Sequence, residues 1–268
     1  MKNKRLIILI SIFAFIILVV ILCSTLFTVK TVSVNWLTRL PEGHILINKD
    51  DDIAADVEKG GSIFLYDKQS AITSLEESYP YLKVVKVETK FPNKLVVHVA
   101  DRQEVFALKI NDNCYVVLDG ECKVLTKYNA LQYSAISLPP ICVEIKEQTL
   151  VADDFEVGKV ANISRISTIL SNVYSALTNC GYEDVYMKQV IQNITIDLGY
   201  NASLVLDTSY ANLSVKINKI HNNLYNKLVF GLAAYNEARA EGSQQTNGVI
   251  VIRELSNGKL DGEFVKNE

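Results

Sequence analysis

The run Leu6 to Phe27, LIILISIFAFIILVVILCSTLF, holds no charge, no proline and no glycine. Its only polar members are Ser11, Cys23, Ser24 and Thr25. As a helix it would span about 30 Å, the thickness of a bilayer's hydrocarbon core. A helix also bonds every backbone amide within the segment, which lipid demands. Lys2, Lys4 and Arg5 precede the run, and the next cation is Lys30. Cations stay preferentially on the cytoplasmic side, so the N-terminus is predicted inside and everything after Phe27 outside. A cleaved leader would carry a shorter apolar core and a small-residue cleavage site, which Ser24-Thr25-Leu26 does not supply. The expectation is an uncleaved single-pass anchor.

The formal net charge is −3 over 268 residues, and the three cations of the tail leave the remainder at −6. That acidic balance argues against nucleic acid and against a tight grip on anionic lipid. With Cys23 in the anchor, Cys114, Cys122, Cys142 and Cys180 fall outside, where disulfides can form. Four cysteines allow three complete pairings, and free thiols remain equally open. Asp119-Gly120 reads as a hairpin turn, which would set Cys122 opposite Val117 rather than Cys114. No cysteine or histidine spacing matches a zinc site.

Beyond the anchor, Val29 to Trp36 alternates apolar and polar residues, as a half-buried strand does. Pro41 to Ile47 reads as a connection. Asn48 to Glu58 reads as a helix with Asp50, Asp51 and Asp52 in its positive first turn. The acid run lacks the ligand spacing of a calcium loop. Asp67 caps a second helix over Lys68 to Ser78. Strands Leu82 to Lys90 and Leu95 to Ala100 follow, joined by Phe91-Pro92-Asn93-Lys94. In the second, Leu95, Val97 and Val99 share one face. The order is β-α-α-β-β.

From Asp101 the pattern is strand-rich. Val105–Ile110, Cys114–Leu118, Cys122–Thr126 and Ile141–Ile145 are strand candidates. Ile163 to Thr178 is an amphipathic helix ending at Gly181. Ile194 to Leu198 and Ser203 to Asp207 form a hairpin. A helix is expected from Asn212, its stripe being Leu213, Ile217, Ile220, Leu224 and Leu228, with two courses open, a run to Ala240 or a break near Gly231. Glu241 to Gly248 is a polar loop. Val249 to Glu254 and Lys259 to Val265 close the chain as two strands. The β-branched run Val249-Ile250-Val251-Ile252 fits equally a strand buried on both faces and an edge that accepts a foreign strand.

For catalysis the chain offers little. His44, His98 and His221 are far apart, and no nucleophile elbow, Ser-x-x-Lys set or phosphate loop stands out. No cofactor, metal or small-molecule ligand is expected, and no enzymatic activity. The alternative is an anchored wall hydrolase or ligand sensor, or a secretion or assembly component that carries this β-α-α-β-β unit.

The β-α-α-β-β order directly outside an anchor looks like a POTRA domain. The segments KVVKVETKFPNKLVVHVADRQEVFAL and CYVVLDGECKVL resemble the FtsQ/DivIB family of bacterial cell-division proteins. The matching features are the Phe91-Pro92 turn, the Asp101-Arg102 pair that ends a strand, and the Asp119-Gly120 hairpin. The chain departs from the pattern at Glu104, where the family usually has a proline, and near Trp36, where it has a glycine. The resemblance implies an α+β molecule with three parts. These are a tail and transmembrane helix (1–27), a POTRA-like domain (28–100), and a mixed β-rich domain with interleaved helices (101–268). It implies a division scaffold at the septum whose partners are FtsB/DivIC-like and FtsL-like single-pass proteins. It also implies that the last strands receive the partner. The contacts would be Val249, Ile250, Val251, Ile252 and Leu255, with Phe264 near the end and Arg253 and Glu254 as charged contacts at the rim.

Overall fold

A computed structural model describes residues 2–38, 50–210, 212–240 and 247–267. The expected connection at Pro41–Ile47, the first residues of the next helix, and most of the polar loop at 241–248 lie outside them. The chain forms two compact units, Met1–Arg102 and Gln103–Glu268.

The first unit opens with α1 (Lys2–Leu26), one helix of 25 residues. Its described apolar side chains from Ile10 to Ile21 are exposed, from 39% at Val19 to 66% at Phe15. Among the described residues no helix is long and apolar enough to cross a membrane; in α1 the described side chains are those of residues 10–21 and 25–26. Then come β1 (Thr31–Thr38), α2 (Asp50–Asp56), α3 (Lys68–Ser78), β2 (Leu82–Lys90) and β3 (Lys94–Asp101). The sheet order is β1-β3-β2. β1 runs parallel to β3 from Thr31↔Lys94, and β2 and β3 pair as a hairpin from Lys90↔Lys94 to Leu82↔Asp101. As the alternation predicts, Leu95, Val97 and Val99 are wholly buried, against Ile53, Val57 and Leu75. The Asp67 side chain accepts the Ser70 N–H at 3.0 Å, capping α3.

Arg102 closes this unit. Its side chain is 6% exposed. Nε donates to the Leu82 carbonyl at 3.2 Å, and Nη2 meets Glu76 Oε2 at 2.9 Å. Glu76 Oε1 in turn accepts the Val84 N–H at 2.8 Å. One ion pair thus ties α3 to the ends of β2 and β3.

The second unit contains β4 (Phe106–Asn111), β5 (Cys114–Leu118), β6 (Val124–Tyr128), α4 (Ala130–Ser134) and β7 (Ile141–Lys146). After a 3-10 turn at Ala152–Asp154 come α5 (Ser164–Asn179), α6 (Asp184–Val190), β8 (Ile191–Asp197) and β9 (Ser203–Thr208). The chain finishes with β10 (Leu213–Asn218), α7 (Leu224–Ala240), β11 (Gly248–Glu254) and β12 (Leu260–Lys266). These strands form a nine-stranded sheet in the order β12-β11-β10-β9-β8-β7-β4-β5-β6. One face of that sheet carries the core: Ile194, Ile196, Leu204, Leu206, Val215 and Ile252 are fully buried. They share one cluster with Leu170 and Val173 of α5 and Leu228 and Leu232 of α7.

Two expectations are corrected here, and one left open is decided. The helix expected from Asn212 is instead the strand β10 followed, from Leu224, by α7. Leu213, Val215 and Ile217 are buried while Ser214, Lys216 and Asn218 are half-exposed, a period of two. Leu213, Ile217, Ile220 and Leu224 also happen to stand at helical spacing, and a six-residue segment satisfies both periods. Of its two expected courses α7 takes the unbroken one, running to Ala240 through Gly231. A Cβ there would lie 2.8 Å from Val215 Cγ1 and 3.2 Å from Ile252 Cγ1, so the glycine lets the helix lie close on β10 and β11. Lastly, Cys122 does not face Val117, whose partner is Thr126. The turn is wider than two residues: Asp119 Oδ1 accepts the N–H groups of Glu121 and Lys123 at 2.9 and 2.8 Å, and Cys122 takes a φ of 63°. α6 had no sequence forecast.

Cys114, Cys122, Cys142 and Cys180 are free thiols. Burial pushes Cys122 and Cys142 up from an ordinary value of 9.0 to about 11.

Two predictions follow from these contacts. Arg102→Met should destabilise the first unit by about 2–3 kcal/mol, discounted because Glu76 is partly exposed, and the double variant with Glu76→Leu should recover part of the loss; thermal melts of the three proteins decide it. For the thiols, the unfolded state releases protons at lower pH than the fold does. Their contribution to stability should therefore be whole below pH 9 and fall as pH rises toward about 11, read as a declining melting temperature that Cys122→Ala flattens.

Candidate partner-binding edge

β11 was expected to offer its backbone. It does not, because both of its sides are occupied. It pairs in parallel with β10 (Leu213↔Gly248 to Ile217↔Ile252) and antiparallel with β12 (Gly248↔Lys266 to Glu254↔Leu260). Ile250 and Ile252 are 5% and 0% exposed, and both belong to the core cluster. Val249 and Val251 stand half-buried on the opposite face. The composition VIVI is thus that of an inner strand.

The edge falls one strand further on, and the pairing identifies its free groups. Asn267 N–H donates to the Asn247 carbonyl at 3.2 Å, and Leu255 N–H donates to the Lys259 carbonyl at 2.8 Å. In an antiparallel ladder the hydrogen-bonded pairs alternate along the strands. Between those fixed ends, Asp261, Glu263 and Val265 bond inward to β11. The outward N–H and C=O groups belong to Leu260, Gly262, Phe264 and Lys266. Among the described residues no strand pairs with that side. At the other margin of the sheet, β6 is partly covered. Val124 N–H donates to the Lys159 carbonyl, and Gly158 N–H to the Val124 carbonyl, both at 2.9 Å.

The expected contact residues are distributed unevenly around this edge. Phe264 lies on it, but its ring is half-buried and packs on the core cluster; it approaches Gly248 so closely that a Cβ there would lie 2.6 Å from Cζ. Arg253 is turned toward its own hairpin, with Nε 3.0 Å from Asp261 Oδ2 and Nη2 3.0 Å from Glu263 Oε2. Leu255, at the hairpin's end, is 42% exposed. Glu254 lies 3.4 Å from the Nζ of Lys227.

Lys227 is a residue that the sequence reading passed over as part of a helix. Its side chain is 1% exposed. Nζ donates to the carbonyls of Asn222 at 2.9 Å, Lys219 at 3.1 Å and Asn218 at 3.5 Å. Lys219 and Asn223 take φ of 53° and 55° in the same loop. The ammonium therefore binds the loop between β10 and α7 and holds the end of β11. Its sequence signal is slight: a lysine one residue before Leu228 within the apolar stripe.

Of the histidines, His98 lies 3.0 Å from Asn35 Nδ2 and 3.2 Å from Glu88 Oε2 within the first unit, and His221 lies beside Arg165 in the second. Among the described residues no group of three His, Cys, Asp or Glu side chains could hold a metal ion.

A three-stranded sheet of order β1-β3-β2 with two helices is the arrangement of a POTRA domain. Residues 27–102 match the family model of the FtsQ-type POTRA domain. The chain is also similar to the cell division protein DivIB of Clostridium botulinum strain Hall, at 24% identity over 82% of each chain. A second match is DivIB of Clostridium botulinum strain Loch Maree, at 27% identity over 45% of this chain and 46% of the relative. The family-model match and the two relatives together support a protein of the FtsQ/DivIB type with a division role.

Removing the buried ammonium should loosen the whole edge. Lys227→Met leaves three loop carbonyls without their donor and should cost about 2–4 kcal/mol, with hydrogen exchange speeding first in β11 and β12; unchanged exchange there would contradict the role given to it.

Proposed function

We propose that the protein is a non-enzymatic scaffold of the division complex, held by α1 in the cell membrane with its N-terminus cytoplasmic and both units outside. The uncharged run Leu6–Phe27 and the cations at Lys2, Lys4 and Arg5 support that topology. It works at the division septum, where it captures FtsB/DivIC-like and FtsL-like single-pass partners and helps place wall synthesis.

The observation that carries this reading is the bare side of β12. A partner segment extended beside it would meet the outward groups of Leu260, Gly262, Phe264 and Lys266, gaining main-chain hydrogen bonds without disturbing the β11 ladder. Arg253 and Leu255 stand exposed at the hairpin's end, and Val249 and Val251 line the adjoining open face. The inner strand thus supplies rigidity, and the last strand supplies the hydrogen bonds. Confinement to one membrane plane raises the effective concentration of each anchored protein toward the other.

Lys266→Pro removes one outward donor from this margin while leaving the inward pairs intact. It should weaken capture of the extracytoplasmic segment of an FtsB/DivIC-type partner about five- to tenfold, the equivalent of about 1 kcal/mol, with little change in melting temperature. Val265→Pro, which breaks an inward pair, should instead lower the melting temperature. Equal binding by wild type and Lys266→Pro would remove strand addition at β12 as the mechanism.

A further inference from the structure

The first unit carries an apolar tip that meets its own core only through Phe27. Phe27 follows the last residue of α1, and the loop Gly60–Leu65 is fastened to it: Ile63 N–H donates to the Phe27 carbonyl at 2.8 Å, and Val29 N–H to the Gly61 carbonyl at 2.9 Å. The β2–β3 turn arrives at the same place, since Lys30 N–H donates to the Asn93 carbonyl at 2.9 Å. Three rings meet there. Phe27 and Phe64 have centroids 5.2 Å apart, Phe64 and Phe91 5.4 Å, and Phe27 and Phe91 6.3 Å. Yet the cluster buries little of itself. Phe64 is 60% exposed, Phe91 63%, Leu65 87% and Leu26 48%.

Cations surround this tip. Lys90 and Lys94 face each other across the Phe91-Pro92 turn. Lys30 and Lys59 adjoin the pinned strand and loop, and all four lysines are exposed. Apolar rings bordered by lysines are the composition of a surface that sits at the headgroup level, rings toward the acyl chains and ammonium groups toward lipid phosphates.

We propose that this tip is a membrane-interface seat: Phe64, Leu65 and Phe91 insert into the outer headgroup layer of the bilayer that α1 spans. The occupant follows from distance. The interfacial layer on each side of the hydrocarbon core is about 5–8 Å thick. Both partner rings lie within 6.3 Å of Phe27, the first residue past the helix. If the end of α1 lies at the hydrocarbon boundary, the rings cannot leave the interface without parting from Phe27. The seat would give the POTRA domain a fixed stance at the membrane. The proposal rests on the reading of α1 as a spanning anchor, and its test separates the two.

The full chain carrying Phe91→Trp and Trp36→Phe, so that the reporter is its sole tryptophan, is reconstituted into phosphatidylcholine–phosphatidylglycerol vesicles with and without brominated acyl chains. Brominated lipid should quench the reporter at least twofold, aqueous iodide should quench it weakly, and Phe64→Ser with Leu65→Ser should reverse both results. Leu65→Trp in the same background provides a second reporter should the first disturb the turn. A chain that resists carbonate extraction but whose reporter answers to iodide and not to bromine overturns the seat and leaves the anchor standing. A reporter shielded from both quenchers in proportion to protein density would mean that the tip meets a second copy, and also overturns it. A chain washed out by carbonate overturns anchor and seat together.

Discussion

The parallel pairing of β10 with β11 is the constraint on which the second unit depends. It requires a crossover, and α7 is that crossover, so the helix must lie across the two strands it connects. Gly231 permits the close approach, with Val215 and Ile252 directly beneath it. Lys227, one turn earlier, fixes the loop through which the chain enters the helix. Once β11 is held between β10 and β12, the hairpin partner has no neighbouring strand on its far side among the described residues, and that side of the sheet ends in outward-facing amides and carbonyls. Such a row is a ready-made template for pairing with another chain.

The first unit is closed by different means. Its sheet has three strands, and its core is correspondingly small. Part of the closure is polar: Arg102 and Glu76 join the end of β3 to α3 and to the start of β2, with two backbone groups included in the same network. A buried ion pair is worth having mainly when its partners make further hydrogen bonds, and here Arg102 Nε bonds the Leu82 carbonyl and Glu76 Oε1 accepts the Val84 N–H. At the opposite end of the strands the unit does the reverse and leaves aromatic rings uncovered beside the exit from α1. The two ends of one small domain thus show opposite solutions, a satisfied polar lock and an unsatisfied apolar tip.

Where a segment's pattern was long or had a cap, the sequence was readable. The helix capped by Asp67, the alternation of Leu95, Val97 and Val99, and the amphipathic stripe of α5 all fold as their residues suggest. β10 reads as helix in the sequence because six residues satisfy a period of two and a period near four at once, whereas the edge at Val249–Ile252 is an expectation of the resemblance, the residues themselves fitting an inner strand equally well. Pairing with β10 on one side and β12 on the other makes that run an inner strand. Arg102 was noticed only as half of a motif, and Lys227 not at all, because a buried cation announces itself by carbonyls that come from elsewhere in the chain.

By itself, the sequence determined the apolar run at the N-terminus, the βααββ order after it, the family resemblance, and the inward faces of most strands. Those are properties of neighbouring residues: side-chain period, capping groups and hydrophobic length act within a few residues of one another. Only the tertiary structure decided which strand is last, which thiols are sheltered, and which rings stay exposed. Edge status is settled by hydrogen bonds between segments far apart in the chain, and no local pattern records whether a strand's second side has been filled.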